Sequence, residues 1–435
     1  MDQTQQRILD IIDRNRERVI AFGRDIFEHA ELGYKEYRTS ERFAQELEAL
    51  GLSPRRGLAI TGVAADQACG RGPTVALIGE LDALRIPNHA HANPETQAAH
   101  CCGHNAQLAG VFGAAIALTD PAVREALCGT VRLMGVPSEE FGEVAFKNSL
   151  VEQGKIRYGG GKCELIRVGA FDDVDLAVTH HLSDEGTVVG CGTSNAFVSK
   201  AIAYQGKAVH AAGPHEGVNA LNAASLGLTA LAYQRETWRD EDCVRVHPIM
   251  TRGGDLVNIV PDDVRIETLV RAKSLEALER VDAAVDRAFK AGAMAIGAGV
   301  TIATVPGYLS TLPLERLDAL AEAARLADPG YTLADPEGHN AGSTDVGDLC
   351  QLMPVLQFNT GHALGHGHGV DYDPGDEDEA YVLTAKIFAL TAYNLLRDGA
   401  AEARAVMDSY TPPMTKDQYL AYMERMMRTE RIPMA

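Results

Sequence analysis

The sequence predicts an α/β fold in two parts: a mixed sheet between helices, and a smaller inserted α+β unit of the ferredoxin-like type. Three observations carry this. Short β-branched apolar runs, TVALIGE (74–80) and TVRLMGV (130–136), each emerge into acidic residues and alternate with helical segments, as strands covered on both faces do. Between 194 and 307 the order becomes strand, helix, strand, strand, helix, strand, which is the split βαβ arrangement. Beyond 308 the helix and strand alternation resumes. Residues 1–193 and 308–435 are therefore expected to form one discontinuous domain, with 194–307 inserted. A length of 435 residues accommodates both.

In chain order, Ile8, Ile11, Ile12, Val19, Ile20, Phe22, Ile26 and Phe27 recur at helical spacing and predict one long amphipathic helix over 4–31. A second helix runs from Thr39 to Leu50 and stops at Gly51. The run 74–84 reads as a buried strand, 106–117 as an Ala- and Gly-rich helix, 130–136 as a strand and 174–183 as another. In the insertion, FVSKAIAYQGK predicts a strand, GVNALNAASLGLTALAYQRE a helix, NIVPDDVRIETLVRA a strand pair, 274–297 a helix and 300–305 a strand. Open α/β sheets hold their chemistry beyond the carboxyl ends of the strands, so the residues after 80, 136 and 182 are the ones to read for function.

Composition narrows the partners. With 46% hydrophobic and 23% charged residues the chain is an ordinary globular one. Its net charge of −20 and the lack of a dense Lys/Arg tract argue against nucleic acid and anionic membrane surfaces. The opening MDQTQQRILDIIDRNRERV has no unbroken apolar stretch and no run approaches 18 apolar residues, so a cytoplasmic location is expected. The eight cysteines show no framework spacing, and reduced thiols are expected.

Four constellations carry chemistry. In HCCGHN (100–105), Cys102 and His104 flank a glycine, so a thiolate and an imidazole face one point in a tight turn, a pairing suited to borderline-soft divalent metals. Glu139 and Glu140 follow Pro137 at the end of the second strand; adjacent carboxylates repel unless a cation offsets them and divides their roles. His180 and His181 end the next strand. In GHALGHGHGVDY (361–372), glycine spacers let His362, His366 and His368 approach a common centre. Each supplies N, O or S donors after a strand or in a loop.

The order GELDAL, HCCGHN, PSEE, VTHHLS, GKAVHAAGPH and GSTDVGD resembles, over nearly the whole chain, the M20 family of metallopeptidases and amidohydrolases. The likeness is strongest to its aminoacylase-like branch of aminobenzoyl-glutamate, hippurate and auxin-conjugate hydrolases. The resemblance implies a metallohydrolase domain with an inserted lid or dimerisation domain. It implies Cys102, His104, Glu140, His181 and a C-terminal histidine as ligands of one or two divalent ions, manganese or zinc, and Glu139 as general base. His181 is preferred over His180 because the ligand directly precedes the Leu-Ser step, and His368 over His366 because it keeps register with DEDEAY. His210 would reach a partner subunit's site in a homodimer or higher homo-oligomer and stabilise the developing oxyanion. Asn258, Arg271 and Ser343 are the substrate-binding candidates; Arg271 suits a substrate carboxylate and equally a surface salt bridge, while the stretch around Ser343 also reads as a helix cap.

Three departures from the family pattern stand out. Glu80 occupies the place where many relatives have a metal-binding histidine, residues 143–159 form an insertion before GGGK, and His89 and His91 decorate the loop before HCCGHN. The expected activity is hydrolysis of a C–N bond, foremost the amide of an N-acyl or N-aroyl amino acid, on a small carboxylate-bearing substrate. The alternatives are hydrolytic deamination of an aromatic amine such as a substituted aminobenzoate, and a non-catalytic metal-holding partner subunit, against which the retained Glu139 argues.

Overall fold

The computed structural model describes residues 1–435, which divide into two compact units. The first comprises 1–192, 312–338 and 348–415, the second 193–311, 339–347 and 416–435.

The first unit is built on an eight-stranded sheet. Its centre is four parallel strands in the order Thr130–Val136, Thr74–Glu80, Leu176–Leu182 and Val355–Thr360. Gly62–Ala68 pairs antiparallel on one side and Val188–Val189 antiparallel on the other. The four central strands therefore end on one edge, and the loops leaving them carry GELD, PSEE, HHLS and the His-rich loop. The helix His104–Leu118 is buried along its entire length, which fits its apolar run from Leu108 onward. Gly103 starts it at φ 82°, a left-handed conformation that lets Cys102 and His104 turn back toward the sheet edge. Arg132, in mid-strand yet enclosed, is held by Asp66, Asp173 and the Ala170 carbonyl, so its charge is paired as burial demands.

The single opening helix expected from the periodicity is two, Gln3–Arg14 and Arg16–Glu28. The Asn15 amide donates to the Ile11 carbonyl at 2.8 Å, a local side-chain bond that competes with the helical backbone. Asp2 and Gln5 close the first helix in a capping box.

The second unit has an antiparallel sheet in the order Arg245–Val246, Asp263–Ala272, Ala196–Gln205, Gly299–Pro306 and Arg428–Ile432. The helices Ala220–Gln234 and Leu275–Ile296 contribute to its core. The strand pair expected around NIVPDDVRIETLVRA is Asp263–Ala272 with Ile249–Arg252. One expectation is corrected here. Residues 308–435 do not all belong with the first unit: 308–311, 339–347 and 416–435 lie in the second. Arg428 explains the tail's placement, since its guanidinium reaches Asp282 and Asp286, the same carboxylates that neutralise the fully enclosed Lys200. Two buried acids opposite one lysine leave room for a second cation. His339 bonds with Thr193 and Asn195, and His339–Asn340 pairs with Thr193–Ser194. No helix is long and apolar enough to cross a membrane.

Candidate metal centre

Asp82, just past the strand Thr74–Glu80, organises the carboxyl edge. Its Oδ1 accepts from the Glu139 amide at 3.1 Å and its Oδ2 from the Glu140 amide at 2.9 Å. Its own carbonyl lies 2.8 Å from His104 Nδ1, so Nδ1 is the donor and Nε2 is left to face the site. Burial pushes the Asp82 carboxyl up, but His104 and the Glu140 amide outweigh it and hold it at about 2.

The PSEE turn has a second support. Ser138 stands at φ 51°, a conformation held only by its surroundings. Its amide donates to the enclosed Glu36 Oε1 at 2.8 Å, and Thr61 Oγ1 donates to Glu36 Oε2 at 2.6 Å. From the following helix, Val144–Glu152, the buried Lys147 donates to the Glu140 carbonyl at 2.6 Å and lies over the Phe141 ring. The inserted segment 143–159 thus folds back onto the acidic pair.

Around this turn the structure gathers two groups whose donor atoms lie within 4.8 Å of one another: Cys102, Glu140 and His368, and Glu80, His104 and Glu139. His181 Nε2 is 3.2 Å from Cys102 Sγ, with Nδ1 occupied by the Leu182 carbonyl. His368 Nε2 is 3.2 Å from Glu140 Oε1, its loop pinned by a bond from its amide to the Cys101 carbonyl. His362 and His366 do not join: His362 sits 3.8 Å from Glu379 and His366 pairs with Asp371, both largely exposed. Strand alternation separates the other pair; His180 is enclosed against Thr360 and Phe358. His89 and His91 pack with Phe27, and His89 contacts the Tyr372 carbonyl.

The donor set fits a divalent cation. His104 Nε2, enclosed and turned to the site, lies 3.0 Å from Glu80 Oε2 and 3.8 Å from Glu139 Oε2. Burial lowers His104 and His181, yet Glu80 and Asp82 lift the first well above the usual imidazole value, and Cys102 lifts the second to about 9. Bonds to Cys102 and Glu140 raise His368 to about 10. Burial raises the Cys102 thiol, but His181 and His104 bring it well below its ordinary value. A cation would displace these imidazole protons.

In the second unit, His210 is exposed and bridged to Ile259, and the Ala211 amide donates to the Asn258 carbonyl, so His210 and Asn258 are neighbours along one loop pair. Arg271 lies over the Phe197 ring. Ser343 Oγ is enclosed without a hydrogen-bond partner, and Thr344 Oγ1 accepts from the Val346 amide. Reading by motif missed Glu36, Lys147 and Lys162.

Residues 197–295 match the model described as a peptidase dimerisation domain of the M20 type. The chain is 30% identical over 424 residues to the mouse Xaa-Arg dipeptidase, covering 91% of this chain and 90% of that protein. It is 30% identical over 290 residues to one of the subunits of the Escherichia coli p-aminobenzoyl-glutamate hydrolase, covering 65% of this chain and 56% of that one. Among solved structures, a dinuclear metal-binding M20 peptidase from Bacillus subtilis superposes with a TM-score of 0.64 at 23% identity, over 88% of this chain and 99% of its own. With a nearly full-length relation to the dipeptidase and the dimerisation match, the chain belongs to the M20 family of metal-dependent peptidases and amidohydrolases.

Proposed function

We propose that this metal-dependent amidohydrolase cleaves the amide of an N-acyl or N-aroyl amino acid, with Cys102, His104, Glu140, His181 and His368 as metal ligands and Glu139 as general base. One observation carries the reading: donors from four strand-end loops converge beside a carboxylate whose backbone amide is fixed by Asp82. A divalent ion held by these residues would supply a water of pKa near ~7 and polarisation of the scissile carbonyl.

The chain's own residues do the rest. Glu139 accepts the proton of the attacking water and delivers it to the amide nitrogen, which leaves only when protonated. Asp82 and Glu36 keep that carboxylate in place through the Ser138, Glu139 and Glu140 amides, the pre-positioning on which general base catalysis depends. His210, in the dimerisation domain, donates to the oxyanion in a partner subunit's site; Arg271 takes up the substrate carboxylate, and Asn258 and Ser343 are further substrate-binding residues.

A second reading, cleavage of dipeptides, is favoured by the near full-length relation to the dipeptidase. The test is metal analysis of the purified protein together with a panel of aminobenzoyl-glutamate, N-aroyl amino acids, Xaa-Arg and β-alanyl dipeptides and substituted aminobenzoates. Amino acid release from the first two classes supports the proposal. Preference for dipeptides supports the second reading, and ammonia released from the aminobenzoates alone would replace both with deamination.

A further inference from the structure

Glu80 closes the strand Thr74–Glu80, and its Oε2 is 3.0 Å from His104 Nε2, close enough to be counted among the donors. Its surroundings argue otherwise. Lys162, fully enclosed at the start of the helix Gly161–Arg167, places Nζ 2.5 Å from Glu80 Oε1. Gln107, one turn along the helix from His104, donates from Nε2 to Glu80 Oε2 at 2.8 Å while its Oε1 accepts from the Glu80 amide at 3.0 Å. Both carboxylate oxygens are thus engaged by donors that a metal bond would have to displace.

Electrostatics points the same way. A lysine held out of water is costly unless paired, and the structure places that cost beside the very carboxylate that would otherwise join the ion. A buried ammonium against Glu80 cancels its charge and repels a second cation approaching the same group.

We infer that Lys162 and Gln107 hold Glu80 out of the metal's ligand set, and that Glu80, bonded to Gln107, is a positioning residue for the helix turn that carries His104. The inference rests on the reading of His104 as a ligand. The test is titration of metal-free protein with Co²⁺, following the number of ions bound per chain and the visible absorption, which reports coordination number. Wild type comes first; if it binds no Co²⁺, the metal-centre reading itself fails, independently of the role of Glu80.

Given binding by wild type, the charge-balanced variant Glu80→Gln with Lys162→Met is expected to bind the same number of ions with the wild-type spectrum. Its affinity should fall ~10–100-fold, the scale for losing a group that orients a ligand. Lys162→Met alone frees Glu80 to become a donor, so its Co²⁺ bands should weaken and shift toward a higher coordination number. Loss of one Co²⁺ equivalent in the double variant would show Glu80 to be a ligand and overturn the inference. So would a folded Lys162→Met protein with unchanged spectrum and affinity. Where that single variant does not fold, the double variant decides.

Discussion

Replacing Glu36 by glutamine isolates one enclosed carboxyl in the support of the PSEE turn. Glu36 is completely enclosed, and burial, reinforced by the nearby Asp82, pushes it from 4.5 up to about 8. The folded protein thus holds a proton that the unfolded chain releases near 4.5. Its stabilising contribution is fully present below that value and is lost as pH rises through about 8. At ~1.4 kcal/mol per pH unit, the interval corresponds to a penalty of order 4–5 kcal/mol on the alkaline side. Glutamine imitates the protonated acid: its oxygen still accepts from the Ser138 amide, and its amide donates to Thr61 Oγ1, whose hydroxyl turns from donor to acceptor as it does opposite the protonated acid. Urea unfolding of metal-free wild type and Glu36→Gln, followed by circular dichroism from pH 5 to 8.5, measures the difference directly. The variant should match wild type near pH 5 and exceed it by ~2–4 kcal/mol at pH 8. Parallel curves, with a constant difference across that range, would refute the reasoning and show Glu36 ionised in the folded state.

Three further outcomes are expected. A Cβ on Gly161 would lie 1.5 Å from the Pro137 carbonyl oxygen, so Gly161→Ala should displace the PSEE turn and weaken metal binding at least ~10-fold, by analogy with losing a ligand's support; unchanged metal affinity in calorimetric titration would contradict this. Lys147→Met removes a charge-assisted bond worth ~1.5–3 kcal/mol and should lower the melting temperature of the metal-free protein by several degrees, whereas an unaltered Tm would mean the inserted helix does not brace Glu140. Mixing inactive His210→Ala and Glu139→Gln subunits should restore roughly a quarter of wild-type activity in randomly exchanged dimers, and no recovery despite demonstrated exchange would remove His210 from the partner's site.

The parts of this molecule legible in its sequence are those with local causes. The central strands announce themselves as β-branched runs and the helix His104–Leu118 as a continuous apolar segment. The HCCGHN and PSEE turns are readable because their donors are neighbours in sequence. What escaped reading depends on pairing at a distance. The strand Arg428–Ile432, rich in charge, finds its place through Asp282 and Asp286, well over a hundred residues earlier. Glu80 and Lys162, 82 residues apart, give no local sign of sharing one enclosed salt bridge, and Glu36 meets Ser138 only because the sheet brings their loops together.

The account's central claim is that Glu139 moves the proton while its neighbour Glu140 holds the metal. Its most direct test is Glu139→Gln, with metal content by elemental analysis and kcat on the best amide of the panel measured on the same preparation. The account predicts wild-type metal content and a loss of at least ~10²-fold in kcat, because the carboxamide keeps the shape but cannot accept the proton. Turnover close to wild type, or loss of the metal itself, would contradict it.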